Sequence, residues 1–281
     1  MTTSAIEELK QEGRLYVAYP KALRDAVARA MEAWRAFYAL PEGKKILWEY
    51  EPDAKTSGNG YELKKGETGT DLKEDVHLRV VARTELMARA ALVHPTIGPE
   101  FVDASLAVIP LIVPLVQEFG RAVEKEYGIE GFEQDILSTK DTWLLRFLHY
   151  FGGDEPVMAA AHADKGGFTL HLYESDPGVE RLDYDTREWV EMPLSHEETV
   201  IIPGIGLQNR SKCELRALYH RVVATEKTAK TGRDSAVCFF NFGRVRFFDK
   251  SKFGSQQSQP VAWNYDFTPE RFAEFDQYFI D

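Results

Sequence analysis

Two cysteines in 281 residues, Cys213 and Cys238, are too few for a disulfide scaffold. Neither belongs to a Cys-x-x-Cys pair, so a reducing cytoplasm is the expected setting. Positive charge is also short: 34 Lys and Arg stand against 45 Asp and Glu, a net charge of −11. Nucleic acid and anionic membrane are therefore poor general partners, because nothing supplies a broad basic face. A long apolar run is missing too. The most apolar stretch, LAVIPLIVPLV at 106–116, is too short to span a bilayer and carries two prolines. It reads as a buried, bent helix segment. The opening MTTSAIEELK has acids where a secretion signal needs a basic start and an apolar run, which again favours the cytoplasm. There is no internal repeat and no low-complexity linker.

What is present changes texture along the chain. GRLYVAY (13–19) reads as a short strand. From Pro20, Leu23, Ala26, Val27, Ala30, Trp34 and Phe37 recur at helical spacing and predict a packed helix ending at LPEGKK. Residues 51–70 are polar and glycine-rich, with Asn59-Gly60 as a turn signal, and read as a surface loop anchored by Tyr61. A second long helical region covers 99–127. After about residue 140, short β-branched and aromatic runs such as TWLLRFLHYF, FTLHLY, TVIIPG, LYHRVVAT and SAVCFFNF alternate with turn clusters. That spacing predicts an antiparallel sandwich or jelly roll. DFTPERFAEFDQYF closes the chain as a helix capped by Thr268, with Phe272 and Phe275 inward. The fold expected is mainly β with flanking helices. It forms one catalytic domain over 1–281: a helical layer at 1–135, a β-core at 140–250 carrying the site, and a C-terminal segment with a helix at 251–281.

Chemistry concentrates in the β-core. His162 and Asp164 stand two apart in HADKGG, a spacing that turns both side chains to one face of an extended backbone. His220, in LYHRVV, supplies a second imidazole from another strand. Two imidazoles and one carboxylate on one face of an octahedral metal leave three positions open, the facial triad of non-haem Fe(II) oxygenases. Thirteen residues after His220 come Arg233 and Ser235, again two apart. The planar guanidinium fork and a neighbouring hydroxyl make a small carboxylate clamp. Tyr150 could donate a further hydrogen bond.

With HADKGGFTL, YHRVV and the Arg-x-Ser pair in this order, the chain resembles the 2-oxoglutarate- and iron-dependent dioxygenases of the isopenicillin N synthase type. The resemblance extends to the N-terminal EGRLYVAYPKALRDAVARAMEAWRAFYALPEGKK. It implies a double-stranded β-helix, a jelly roll, with Fe(II) on His162, Asp164 and His220. It places the distal carboxylate of 2-oxoglutarate on Arg233 and Ser235, with Tyr150 assisting. Dioxygen is the second co-substrate, and ascorbate can serve as reductant. The implied reaction decarboxylates 2-oxoglutarate to succinate and CO2 and oxidises a small molecule, most commonly by hydroxylation. Three departures sit around the rim: Tyr219 where a proline often precedes the second histidine, PGVERLDY without Gly-Leu-Gln, and IIPGIGLQ without the Asp of a Gly-Asp turn. A same-fold iron oxidase that does not use 2-oxoglutarate, and a metal- or ligand-binding β-roll without turnover, are the alternatives.

Other residues are weighed against simpler roles. His171, nine residues from His162, falls on the opposite face by strand parity and is not expected as a further ligand. His149 is expected to pack, and His77, His94 and His196 to be solvated or structural. Arg146 shares strand parity with Tyr150. Arg244 and Arg246 follow the last β-run, and Arg221 should point away from His220. Against the net negative charge, the first three arginines are the candidates to hold an anionic substrate carrying a carboxylate or phosphate. The substrate-determining loops are expected at 51–70 and 243–260.

Overall fold

In this computed structural model, the residues described are 1–50, 58–65, 72–195, 197–243, 246–249 and 267–280. The N-terminal half supplies α1 (Thr3–Glu12), β1 (Leu15–Ala18), α2 (Lys21–Tyr38), a short α3 (Glu42–Lys45), then β2 (Gly60–Lys65) and β3 (Leu72–Leu78). After these come α4 (Arg83–Val93), α5 (Ile97–Leu106), α6 (Ile109–Tyr127) and α7 (Phe132–Ser138). The rest is β4 (Leu144–Tyr150), β5 (Val157–His162), β6 (Phe168–Glu174), β7 (Val179–Leu182), β8 (Trp189–Glu191), β9 (Glu198–Pro203), β10 (His220–Val223) and β11 (Arg233–Phe240). Short helices α8 (Ile205–Arg210) and α9 (Thr228–Thr231) interrupt it. A hairpin of β12 (Phe247–Phe248) and β13 (Phe279–Ile280) ties the C-terminal turn of helix, α10 (Phe272–Asp276), to the body.

The strands form two facing antiparallel sheets, a jelly roll. The large one runs β1-β9-β6-β11-β4-β3-β2 and the small one β5-β10-β7-β8. The large sheet is covered on both faces, which explains why its central strands read as nearly unbroken apolar runs. One face packs on the helical layer: Leu145, Phe147, Phe168, Leu170, Ala236, Cys238 and Phe240 join Trp34, Phe101 and Phe119 in one core. Phe119 meets Phe168 with ring centres 4.8 Å apart. The other face turns to the small sheet, where Leu148, Val200 and Ile202 meet Met158, Leu218 and Val222. Towards β3 and β2 that inner face carries charge instead of hydrocarbon.

The helix predicted from Pro20 is α2, its stripe from Leu23 to Phe37 fully buried. The apolar region 99–127 is two helices, with Pro110 in the first turn of α6 and Pro114 inside it. By composition the stretch Ile97–Tyr127 is long and apolar enough to cross a membrane, but half of its most apolar window is buried, with Phe101, Ile112 and Phe119 in the core. Two expectations need correction. The closing helix is only a tight turn, Pro269–Arg271, and a short helix, Phe272–Asp276, with Phe275 buried and Phe272 half-buried, before the chain turns to strand at Phe279–Ile280. Residues 60–65 are not surface loop but an edge strand, paired with β3 from Gly60↔His77 to Lys65↔Leu72. Tyr61 is indeed its anchor, buried and donating its hydroxyl to Glu74 at 2.8 Å. Residues 51–57 and 66–70 of that loop lie outside the described residues, as do His196, Arg244 and most of 243–260.

Candidate active site

Strand pairing assembles the three predicted metal ligands. His162 ends β5, and β10 begins with His220 directly opposite it in register. Their rings lie 4.5 Å apart between centres. Asp164 stands just past the strand end, its Oδ1 3.7 Å from His162 Nε2. One potential ligand atom from each of the three lies within 4.8 Å of the others. Two glycines allow this turn to close. Ile205 and Gly206 donate their N–H groups to Asp164 O (2.7 Å) and Gly166 O (2.8 Å). A Cβ at Gly204 would lie 2.3 Å from Gly166 O, so the backbones touch as only glycine permits. The PGIG turn, which lacks the aspartate of the commoner pattern, thus works through main-chain contact with the metal-ligand turn.

The protonation pattern suits a cation. His162 Nδ1 lies 2.8 Å from Ala160 O and His220 Nδ1 3.2 Å from Leu218 O. Each imidazole therefore donates through Nδ1 to its own strand and keeps the Nε2 lone pair for a ligand. Desolvation inside the cavity, then the neighbouring His220, pushes the His162 imidazole below its usual range, although half of its side chain is exposed. Burial alone would raise the Asp164 carboxyl, but His220, His162 and the Thr169 hydroxyl together hold it below the usual carboxylate range. Neutral imidazoles and an ionised carboxylate are the forms that bind Fe(II), so the residues present fit the metal.

These groups open into a cavity of about 480 Å³ that also takes in Arg233, Ser235 and Tyr150. The clamp pair comes from the large sheet: Arg233 opens β11 opposite Tyr150 of β4, and Ser235 faces Leu148. Arg233 is not a bare fork. Its Nε donates to Asp176 O at 2.9 Å and its Nη2 to Glu174, leaving Nη1 and the second Nη2 hydrogen.

His171 stands outside the ligand group as expected, but not on the opposite face that parity assigned it. The chain leaves the small sheet after His162 and enters the large one at Phe168, so parity does not carry through the intervening turn. His171 lines the cavity beside Ser235, its Nε2 3.3 Å from Ser235 Oγ and 3.1 Å from Tyr173 O. An N–H at this nitrogen directs the Ser235 hydroxyl proton towards the cavity. Burial, then Arg233 and His220, pushes His171 down to about 3, so it is neutral, and it stands outside the metal-ligand group.

The mouth is more basic than the whole chain. Arg146, on the face its parity predicted, lines the cavity with Lys64, Lys73 and Lys165. The three lysines were missed. Two lie on β2 and β3, in or beside the segment read as loop, and Lys165 follows Asp164 in a turn whose direction the sequence did not reveal. Of the other candidate arginines, the two that are described do not line the cavity: Arg221 pairs with Glu180 at 2.6 Å and Arg246 with Asp276. His149 packs, stacked 4.2 Å from the Tyr38 ring and 2.8 Å from Asp234. His94 is structural, its Nδ1 accepting from Thr96 and Ile97 N–H groups.

Comparison with known proteins agrees. Residues 144–242, from β4 to just past β11, match the family model of the 2OG-Fe(II) oxygenase superfamily, and all six predicted site residues fall inside. By that match, this stretch resembles a 2OG-Fe(II) oxygenase domain. Over 165 residues the chain is 27% identical to the 2-oxoglutarate-dependent dioxygenase citB of Monascus ruber, covering 56% of this chain and 47% of that protein. Over 141 residues it is 30% identical to the clavatol oxidase claD of Penicillium crustosum, covering 47% and 40%. The match thus spans about half the length of these curated relatives. The fold of the oxygenase domain and its flanks is shared with a full-length Neurospora crassa protein solved in complex with alpha-KG, at a TM-score of 0.71 and 18% identity over 97% of this chain and 89% of that one. The rice dioxygenase for auxin oxidation aligns at 0.66 and 21%, over 85% and 76%.

Proposed function

We propose that this chain is a non-haem Fe(II), 2-oxoglutarate-dependent dioxygenase that oxidises a small molecule bearing an anionic group, with hydroxylation as the expected outcome. One observation carries the reading: the His162, Asp164 and His220 donors share a single cavity with the Arg233 and Ser235 clamp. Fe(II) held by the three donors would supply the redox chemistry that couples dioxygen to decarboxylation of 2-oxoglutarate into succinate and CO2. The rest falls to the chain. His162 and His220 stay aligned through their carbonyl bonds, and the two imidazoles with the Thr169 hydroxyl favour the ionised form of Asp164. Arg233 and Ser235 take the distal carboxylate of the co-substrate, with Tyr150 beside them. Arg146, Lys64, Lys73 and Lys165 favour an anionic substrate against the overall charge of −11.

Three further assignments belong to this reading. Residues 1–281 act as one catalytic domain, supported by β1, β2 and β3 completing the sheet that holds the clamp. The setting is cytoplasmic, supported by two cysteines that are both free and buried. The partners are dioxygen and a small molecule.

The test is a screen of a metabolite pool with purified protein, Fe(II) and ascorbate, reading succinate and oxygen together. One succinate per oxygen consumed, with an oxidised product, supports the proposal. Oxygen uptake without succinate points to an iron oxidase of the same fold. No uptake with any pool points to a binding protein.

A further inference from the structure

We propose that Glu174 is a built-in counter-ion of the co-substrate clamp, which weakens the hold on dicarboxylates so that succinate can leave after each turnover. This rests on reading Arg233 as the clamp. The two side chains form an ion pair that is almost wholly enclosed, with 1% of Arg233 and 4% of Glu174 exposed. Strand pairing builds it: Glu174 ends β6 and lies opposite Ser235 of β11. The carboxylate has two duties, accepting from Arg233 Nη2 and from Leu194 N–H at 2.7 Å. The guanidinium is fixed at a second point by Nε donating to Asp176 O at 2.9 Å.

A buried guanidinium without a counter-ion is a strong anion receptor, because any carboxylate that reaches it relieves an uncompensated charge. Glu174 removes most of that incentive. The cation is already neutralised before a ligand arrives, so a second carboxylate meets both the attraction of Arg233 and the repulsion of Glu174 at close range. The free N–H groups on Nη1 and Nη2 still recognise the distal carboxylate by direction. Recognition is kept while net attraction is reduced. This matters because 2-oxoglutarate and succinate present the same distal carboxylate. A clamp that gripped it with a full unpaired charge would hold the product as firmly as the co-substrate. Burial raises the Glu174 carboxyl above its ordinary range, with Arg233 pulling against it, so ionisation of Glu174 depends on the guanidinium it faces.

The test measures dissociation constants of 2-oxoglutarate, succinate and 2-oxobutyrate for Mn(II)-loaded protein under nitrogen. 2-Oxobutyrate keeps the 2-oxo acid but lacks the distal carboxylate. In Glu174→Gln the charge is gone, and both dicarboxylates should bind roughly tenfold tighter while 2-oxobutyrate is unchanged. The steady-state KM for 2-oxoglutarate should fall and product inhibition by succinate should rise. Glu174→Asp keeps the charge and the fold but draws the carboxylate back by one methylene, so it should tighten both dicarboxylates in the same order by a smaller factor, about threefold. This second variant decides the matter if the amide fails to fold. Unchanged or weaker dicarboxylate binding in either folded variant overturns the proposal, as does equal tightening of 2-oxobutyrate. Wild type that binds none of the three would overturn the clamp reading itself, and the inference with it.

Discussion

Two clusters in this protein contain the same kinds of donor. His162, Asp164 and His220 form one; Glu62, Asp75 and His77, brought together by β2 and β3, form the other, and in each the potential ligand atoms lie within 4.8 Å of one another. Their surroundings differ. The first has histidines locked through Nδ1, an aspartate fed by a hydroxyl, and an open cavity in front. The second already holds its positive charge: Arg146 Nε is 3.9 Å from Asp75 Oδ1, and Lys64 Nζ is 3.8 Å from Glu62. His77 Nε2 itself lies 2.7 Å from Asp75. A divalent ion at the second cluster would have to displace arginine and lysine. Donor chemistry alone therefore does not make a metal site; neutralising neighbours decide it.

The largest expected effect tests that contrast directly. Asp164→Ala or His220→Ala should abolish binding of one equivalent of Mn(II) or Fe(II), read by equilibrium dialysis with metal analysis. His77→Ala should leave that equivalent intact. Loss of metal from the His77 variant, with the triad intact, would reverse the assignment of the two clusters. The purified protein can carry Zn(II), Ni(II) or Mn(II), since affinity order does not favour Fe(II).

Next is the clamp. Arg233→Lys keeps charge but loses the planar fork, and the KM for 2-oxoglutarate should rise about ten- to a hundredfold, the value of one charged hydrogen bond. An unchanged KM would move the clamp elsewhere. Arg146→Ala should act on the primary substrate instead, raising its KM by several-fold, while 2-oxoglutarate turnover without substrate persists. A substrate KM that does not move would leave Arg146 as the partner of Asp75 and no more.

The smallest effect lies in the pH dependence of stability. Burial is the main reason His77 titrates below the usual imidazole range. The unfolded chain takes up a proton at this residue near pH 6.5 and the folded protein does not. Stability should therefore be complete above about pH 6.5 and fall as the pH drops from there, by at most about 1.4 kcal/mol per unit for one proton. His77→Gln should flatten that limb in chemical denaturation between pH 7 and 5. An identical limb in both proteins would show that His77 is protonated in the fold.

The triad and the clamp were legible because they are made of residue types with few other uses at that spacing: His-x-Asp, a lone later His, Arg-x-Ser. The β-core was legible from apolar runs such as FTLHLY and SAVCFF, which owe their character to burial on both faces. What was not legible had the opposite composition. β5, VMAAAH, and β7, VERL, carry little hydrophobic contrast; β2, GYELKK, reads as loop and β3, LKEDVHL, as no element, because they bury or half-bury charged side chains on an inner face. The buried charges of β3 pair with β2, β4 and Lys45 partners distant in sequence. His171 was misplaced for a related reason: side-chain alternation counts within one strand, and the turn at 163–167 moves the chain from one sheet to the other.

The two halves of the site stand on different sheets. His162 and His220 belong to the small sheet, Arg233, Ser235 and Tyr150 to the large one. A 2-oxoglutarate molecule held by both would work as a strut between two plates, its five-carbon length a gauge of the gap. The plates are spaced by hydrocarbon, some of it outside the cavity, by Met158, Leu182 and Val200 among others. Trimming one of those side chains would change the span the strut must bridge, so hydrophobic spacers with no contact to any carboxylate would set how well a co-substrate fits, and a bound co-substrate would in turn brace the sandwich against heat.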